Sequence, residues 1–244
     1  MPPRFLCRPL TAADPEPADA RVTLDADESH HALRVLRLGE GDVVELFDGV
    51  GQTAQATLVG RAGGRAVCRL QSTAAAPPPR PHLTVAVALP KGPRAEDLAN
   101  QLAQLGVDTL VPLACDFGVV KVKPNKLERL GRAALAAAKQ CGRAHLMRIA
   151  PPLSVDAAAA QAAAATHARL LHPGAAAWPP AALAADLAAA EDVWLLVGPE
   201  GGFSDGELAA ARRHGVPHWR LGPHVLRIET AAAAAAALIR YATA

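Results

Sequence analysis

The run Ala74-Ala75-Ala76-Pro77-Pro78-Pro79-Arg80-Pro81 restricts the fold of this chain more than any other stretch. Consecutive prolines fix φ and supply no backbone N–H. They favour polyproline II and are excluded from helix interiors and sheet centres. Residues 74–81 are therefore read as a linker between an N-terminal part, 1–73, and a C-terminal part, 82–244. A chain of 244 residues suits one large domain or two modest ones.

The two parts have different patterns. Before the linker, residues 43–47 form a short apolar run that ends in the turn signal Asp48-Gly49, followed by a second run at 52–59. The glycines of 60–64 precede a third run at 66–70. Short strands with glycine turns predict a small β-barrel. One helix is expected over 29–36, with Leu33 and Leu36 three apart on one face and Arg34 and Arg37 likewise spaced. After the linker, extended runs at 83–89, 109–113, 147–149, 169–171, 193–197 and 218–221 alternate with helical segments at 96–105, 126–140, 157–166, 183–190, 207–213 and 230–241. Repeated βα units predict an α/β domain with a parallel sheet flanked by helices. The alanine tracts lie between strands and hold little Gly or Ser, so they are read as helices.

Composition excludes several classes. Net charge is only +2, so any nucleic-acid contact needs a local basic patch. Cys7, Cys68, Cys115 and Cys141 form no C-x-x-C pair, which argues against zinc or a redox dithiol; no metal is expected, and free thiols fit a reducing cytoplasm. The start, Met1-Pro2-Pro3-Arg4-Phe5, lacks a signal-peptide core. No charge-free apolar run of about 18 residues occurs outside alanine-rich stretches, so no membrane span is expected.

Two C-terminal loops carry the chemistry. After the apolar run 193–197 comes Gly198-Pro199-Glu200-Gly201-Gly202-Phe203-Ser204. Pro199 ends strand pairing, Gly201 and Gly202 allow positive φ and close approach of a ligand, and Ser204 with Glu207 spells a capping box. The second loop is Leu221-Gly222-Pro223-His224-Val225-Leu226-Arg227-Ile228-Glu229-Thr230-Ala231, with Thr230 a plausible N-cap and a helix start that favours an anion. Ligands of open α/β sheets bind at the carboxyl ends of strands. The plainer readings are a tight capped turn for the first loop and a mutual Arg227–Glu229 ion pair for the second. Neither loop is a G-x-G-x-x-G fingerprint or a Walker A sequence.

These two motifs together closely resemble the RsmE family of SPOUT-superfamily RNA methyltransferases, and the resemblance runs through nearly the whole chain. His30-His31-Ala32-Leu33-Arg34-Val35-Leu36-Arg37-Leu38, Gly41-Asp42 and Phe47-Asp48-Gly49 are similar to the family's PUA-like RNA-binding barrel. Leu89-Pro90-Lys91-Gly92, Leu105-Gly106-Val107, Pro112, Val119-Val120-Lys121 and Gln140-Cys141-Gly142-Arg143 are similar to the start of its catalytic domain. The resemblance implies a trefoil-knotted C-terminal domain and a homodimer. It further implies methylation of N3 of a uridine in 16S ribosomal RNA, naked or in the small subunit, with S-adenosylmethionine (SAM) as donor and S-adenosylhomocysteine as product.

On that reading, Leu196, Gly198, Pro199, Glu200, Gly201, Gly202, Leu221, Gly222, Leu226, Thr230 and Ala231 hold the cofactor. Arg227 and Glu229 are the catalytic candidates, because the N3 proton must leave or the uracil anion must be stabilised. Arg8, Arg34, Arg37, Lys91, Arg94, Lys121 and Arg143 face RNA, with a solvated surface charge as the plainer reading of each. The chain departs from the family pattern at Gln101, Gln104, Phe117, Ala136 and Lys139, which leaves open an RNA-binding paralogue with a lost or shifted target.

Overall fold

The structure, a computed structural model, describes residues 2–8, 10 and 20–243. The chain divides into two compact units, 1–78 with 138–146, and 79–137 with 147–244.

The first unit contains β1 (Arg4–Leu6), β2 (Arg21–Thr23), α1 (Ala26–His30), β3 (Val43–Phe47), β4 (Gln52–Ala62) and β5 (Arg65–Ala75). Among the described residues these strands form a five-stranded sheet in the order β1-β3-β4-β5-β2. Its core is Phe5, Leu24, Val44, Leu46, Ala56, Leu58, Ala66 and Cys68, each almost wholly buried. The helix expected over 29–36 starts three residues earlier, where Asp25 caps the Glu28 amide at 2.8 Å, and passes into a π-helical turn over His31–Val35. The wider turn breaks the expected i, i+3 face. Leu33 is buried, whereas Leu36 is exposed, and Arg37 has left the helix at φ +56°, so Arg34 and Arg37 do not share a helical face. Residues 138–146 join this unit through Lys139, whose ammonium lies 2.5 Å from the buried carboxylate of Glu28. Removing one member of so buried a pair strands the other.

The second unit contains β6 (His82–Ala88), α2 (Arg94–Gln104), β7 (Thr109–Ala114), α3 (Pro124–Cys141, its last turn shared with the first unit), β8 (Arg148–Ile149) and β9 (Leu153–Ser154). It continues with α4 (Val155–Ala162), β10 (His167–Leu171), α5 (Pro180–Leu187), β11 (Asp192–Val197), α6 (Asp205–Arg213), β12 (His218–Trp219) and α7 (Ile228–Ala242). The sheet runs β12-β10-β11-β6-β7-β8, with β9 also on β7, and all its pairs are parallel. Both faces are covered, which is why its strands read as continuous apolar runs. Leu83, Val85, Val87, Leu195 and Val197 enter one core with α2 and α7. Ala86, Leu196, Phe203 and Leu208 enter the other. Helix α7 buries Ile228, Ala232, Ala235, Ala236 and Ile239, the i, i+4, i+7, i+8, i+11 stripe of a helix seated on a sheet. Small residues at its centre let it lie close to β6 and β11. Its far end is latched by Arg240, which donates to the carbonyls of Gly106 and Pro81 and pairs with Asp108 at 2.6 Å. That latch fixes the axis of the helix whose first turn opens on the site.

Candidate active site

Neighbouring parallel strands β12, β10 and β11 end side by side, and their loops enclose a cleft of about 410 Å³. One wall is Val197 with the loop Gly198 to Phe203. The opposite wall is Leu171, His172 and Pro173 after β10, with Trp219, Arg220, Leu221 and Gly222 after β12. His224, Val225, Leu226 and the first turn of α7, at Ile228 and Ala231, complete it.

Each glycine of the first loop has its own reason. At Gly198 an added Cβ would stand 2.9 Å from the Phe203 ring. At Gly201 it would stand 3.0 Å from Cβ of Phe117, and Gly202 has φ +77° in a turn closed by its amide on the Pro199 carbonyl at 2.9 Å. The loop is braced from behind. Ser204 caps the Glu207 amide, and Glu207 returns Oε2 to the Ser204 amide at 2.8 Å, the expected capping box. Glu207 Oε1 also accepts from the Asp116 amide at 3.0 Å, and Ser204 Oγ donates to Asp116 at 2.5 Å. Beside this network burial, then the charges of Glu207 and Asp116, push the Cys115 thiol up to about 12.

The two helix starts differ. At α6 the box engages the amides of Ser204 and Glu207. At α7 the N-cap is Arg227, not Thr230, and no side chain caps the helix. Thr230 instead lies exposed within the first turn, so the amides of α7 remain open to a ligand.

Glu200 and Glu229, one from each loop, meet on a single cation. Arg94, the first residue of α2, places Nη2 3.5 Å from Glu200 and Nη1 3.4 Å from Glu229. The second oxygen of Glu229 is buried without a hydrogen-bond partner. The ion partner of Glu229 is thus Arg94, not Arg227. The Arg227 side chain is exposed and has no polar partner among the described residues.

Nine of the eleven residues expected at the cofactor line the cleft; Leu196 and Thr230 do not. Leu196 points into the core on the other face of the sheet, as strand alternation requires of the neighbour of Val197. The sequence reading missed His172, Trp219 and Val225. His172 and Trp219 close two strands whose adjacency to β11 is set by strand order and leaves no local signal. The Nδ1 of His172 accepts from the Gly174 amide at 3.1 Å, which puts the proton of the neutral ring on Nε2. Behind it, burial, then Arg212 and His172, lower the pKa of His218.

The expected RNA-facing cations are spread over both units. Lys91 and Lys121 are exposed without polar partners among the described residues, and Arg34 and Arg37 are exposed. Arg8 donates to the Asp48 carbonyl at 2.6 Å, and Arg143 is partly buried, its carbonyl accepting from Arg4 at 3.3 Å. Arg94 is engaged by the two glutamates. Among the described residues, no group of three or more His, Cys, Asp or Glu side chains could hold a metal ion, and no helix is long and apolar enough to cross a membrane.

Residues 77–240 match the RNA methyltransferase domain family, and residues 24–71 match the RNA methyltransferase PUA domain. The chain is 37% identical to the ribosomal RNA small subunit methyltransferase E of Mycobacterium bovis, over 88% of this chain and 84% of that protein. It is 33% identical to the enzyme of the same name from Synechocystis, over 94% and 76%. A Legionella pneumophila protein described as a methyltransferase and solved with SAM superposes with a TM-score of 0.85 at 27% identity, over 100% of this chain and 98% of that one. With its cleft built from the two glycine loops at the carboxyl edge of a parallel sheet, and a PUA domain before it, the chain belongs to the RsmE family of ribosomal RNA small subunit methyltransferases.

Proposed function

We propose that this protein uses SAM to methylate N3 of a uridine in the 16S RNA of the small ribosomal subunit. The observation that carries the reading is the cleft itself: two glycine loops and an uncapped α7 start at the ends of β10, β11 and β12. The residues present suit SAM. The absence of room for a Cβ at Gly198 and Gly201 brings backbone donors and acceptors within reach of a ligand, and the volume is that of small-molecule sites.

When bound, SAM supplies an electrophilic methyl group on a sulfonium. The chain supplies everything else, mostly orientation. Gly198, Pro199, Gly201, Gly202, Leu221, Gly222, Leu226 and Ala231 form the walls. Glu200 gives the cleft negative charge suited to a cation. Uridine N3 must lose its proton before or as it accepts the methyl group. Arg227, at the lip of the cleft with a free guanidinium, stabilises the uracil anion. Glu229, the other candidate, is held by Arg94 through Oε1, keeps Oε2 buried and does not line the cleft, so its part is to fix the start of α7 while the N3 proton passes to water.

Lys91, Lys121 and the arginines of the first unit position the RNA, and the target base enters unstacked. Family membership supports the remaining parts of the reading: an RNA-binding barrel whose last strand runs to Ala75, past the expected boundary at 73, and which takes in residues 138–146; a trefoil-knotted catalytic domain in the second unit; and a cytoplasmic homodimer. Exposed Leu238 and Tyr241 on α7 support the dimer.

The test is incubation with methyl-labelled SAM and small ribosomal subunits or naked 16S RNA. Label at N3 of one uridine is expected. RNA binding without label would favour an RNA-binding paralogue.

A further inference from the structure

A second concavity, of about 290 Å³, lies within the first unit between the end of α1 and the β4–β5 hairpin. Arg34, Arg61 and Arg65 line it together with His30, whose imidazole is its one ring; no carboxylate does. Arg34 follows His30 by four residues through the π-helical turn. Arg61 and Arg65 flank a hairpin turn at which Gly63 has φ +56° and Gly64 φ +79°, the consecutive positive values of a type I′ turn. An added Cβ at either glycine would meet nothing within 4 Å, so the turn stands clear of the rest of the protein.

None of the three guanidinium groups has a polar partner among the described residues. The acids of the adjoining helix are mostly used elsewhere: Asp25 caps it and Glu28 is paired with Lys139, which leaves Asp27 on the surface. Three converging cations without a counter-charge repel one another and favour an anion between them. Guanidinium forks suit phosphate oxygens, and the lining holds no Phe, Tyr or Trp platform and no Asn, Gln, Asp or Glu to read a base edge.

We propose that this groove binds the phosphodiester backbone of the RNA substrate and reads charge, not sequence. The inference rests on the RNA methyltransferase reading, adding a built phosphate site remote in sequence from the cofactor loops. Phosphate contacts of this kind fix register without specifying bases.

The test uses the full-length protein, a 16S RNA transcript, and binding measured across a salt series. Replacing three phosphate contacts, in R34A/R61A/R65A, lowers the slope of log K against log salt by about 2 to 3. Affinity falls alike for unrelated RNA sequences, while SAM affinity stays within about twofold. The charge-keeping R34K/R61K/R65K retains most of the slope. An equal loss in R132A/R148A/R212A, three exposed arginines of the other unit, would mean bulk charge alone and overturn the proposal. So would an unchanged slope in the alanine triple, or inorganic phosphate competing as well as RNA does. Loss of SAM binding or of methyl transfer in the unaltered protein would count against the enzyme reading alone, because the salt slope is measured without cofactor.

Discussion

Replacing Glu207 by alanine should loosen the cleft from behind. Its carboxylate is buried and accepts two backbone amides, Ser204 at 2.8 Å and Asp116 at 3.0 Å. Hydrogen bonds to a charged acceptor contribute about 1.5–3 kcal/mol each. Asp116 is exposed, so water can replace the carboxylate there and only the lower end applies. Loss of the reciprocal cap costs about 1 kcal/mol, part of which is the Ser204 bond already counted. Release of a buried carboxylate from its desolvation cost works the other way. A net loss of about 2–3 kcal/mol follows, which for a unit of this size lowers the SAM-responsive thermal transition by about 5–10 °C. The Gly201–Gly202 turn ends at this cap, so SAM affinity measured by calorimetry should weaken about tenfold. A third readout is independent of both. Glu207 helps hold the Cys115 thiol up near about 12, so alkylation of Cys115 at alkaline pH should accelerate in E207A. E207Q, which keeps one acceptor oxygen, should fall between. A transition within about 1 °C of the parent, with SAM affinity unchanged, would refute the argument that this network braces the loop.

Arg94→Ala should weaken SAM binding by about fivefold, the scale of two partly exposed ion pairs, and leave RNA affinity within twofold. Filter binding that shows the reverse would return Arg94 to the RNA surface. Arg227→Ala should lower kcat by about 10²-fold or more with SAM affinity unchanged, and single-turnover kinetics would separate the two. Burial raises the thiols of Cys7 and Cys68 from 9.0 to about 11 and that of Cys115 to about 12. A raised folded pKa means that the folded state keeps protons that the unfolded state loses. The stabilisation is therefore complete below pH 9 and declines as pH rises through 11 to 12. Denaturant titrations from pH 8 to 11 should show falling stability, and iodoacetamide at pH 8 should label exposed Cys141 first.

What the sequence could disclose was local. Residues 198–204 announce their turn and cap because Gly, Pro, Ser and Glu at those spacings have few other uses, and the capping box forms as read. Runs such as 193–197 announce a doubly covered parallel strand because both faces must be apolar. Strand order was not legible. His172 and Trp219 belong to the cleft only because β10 lies between β11 and β12. Arg94 is likewise far in sequence from Glu200 and Glu229, and a lone arginine after a Lys-Gly pair reads as an RNA contact. The π-helical turn at His31–Val35 was illegible for another reason: its apolar spacing fits an ordinary helix until Arg37 turns to positive φ. Thr230 looked like a cap because Ser and Thr usually are, yet the helix begins at Ile228, where an apolar side chain fills the core behind the cleft.

The central claim is that the cleft transfers a methyl group to N3 of a uridine in 16S RNA. Nucleoside mapping of 16S RNA from cells with and without this protein tests it most directly. The account predicts a single 3-methyluridine that disappears when the protein is removed, returns with the parent protein and stays absent with Arg227→Ala. An identical modification pattern in both RNAs, or restoration of the mark by Arg227→Ala at the parent's rate, would contradict it.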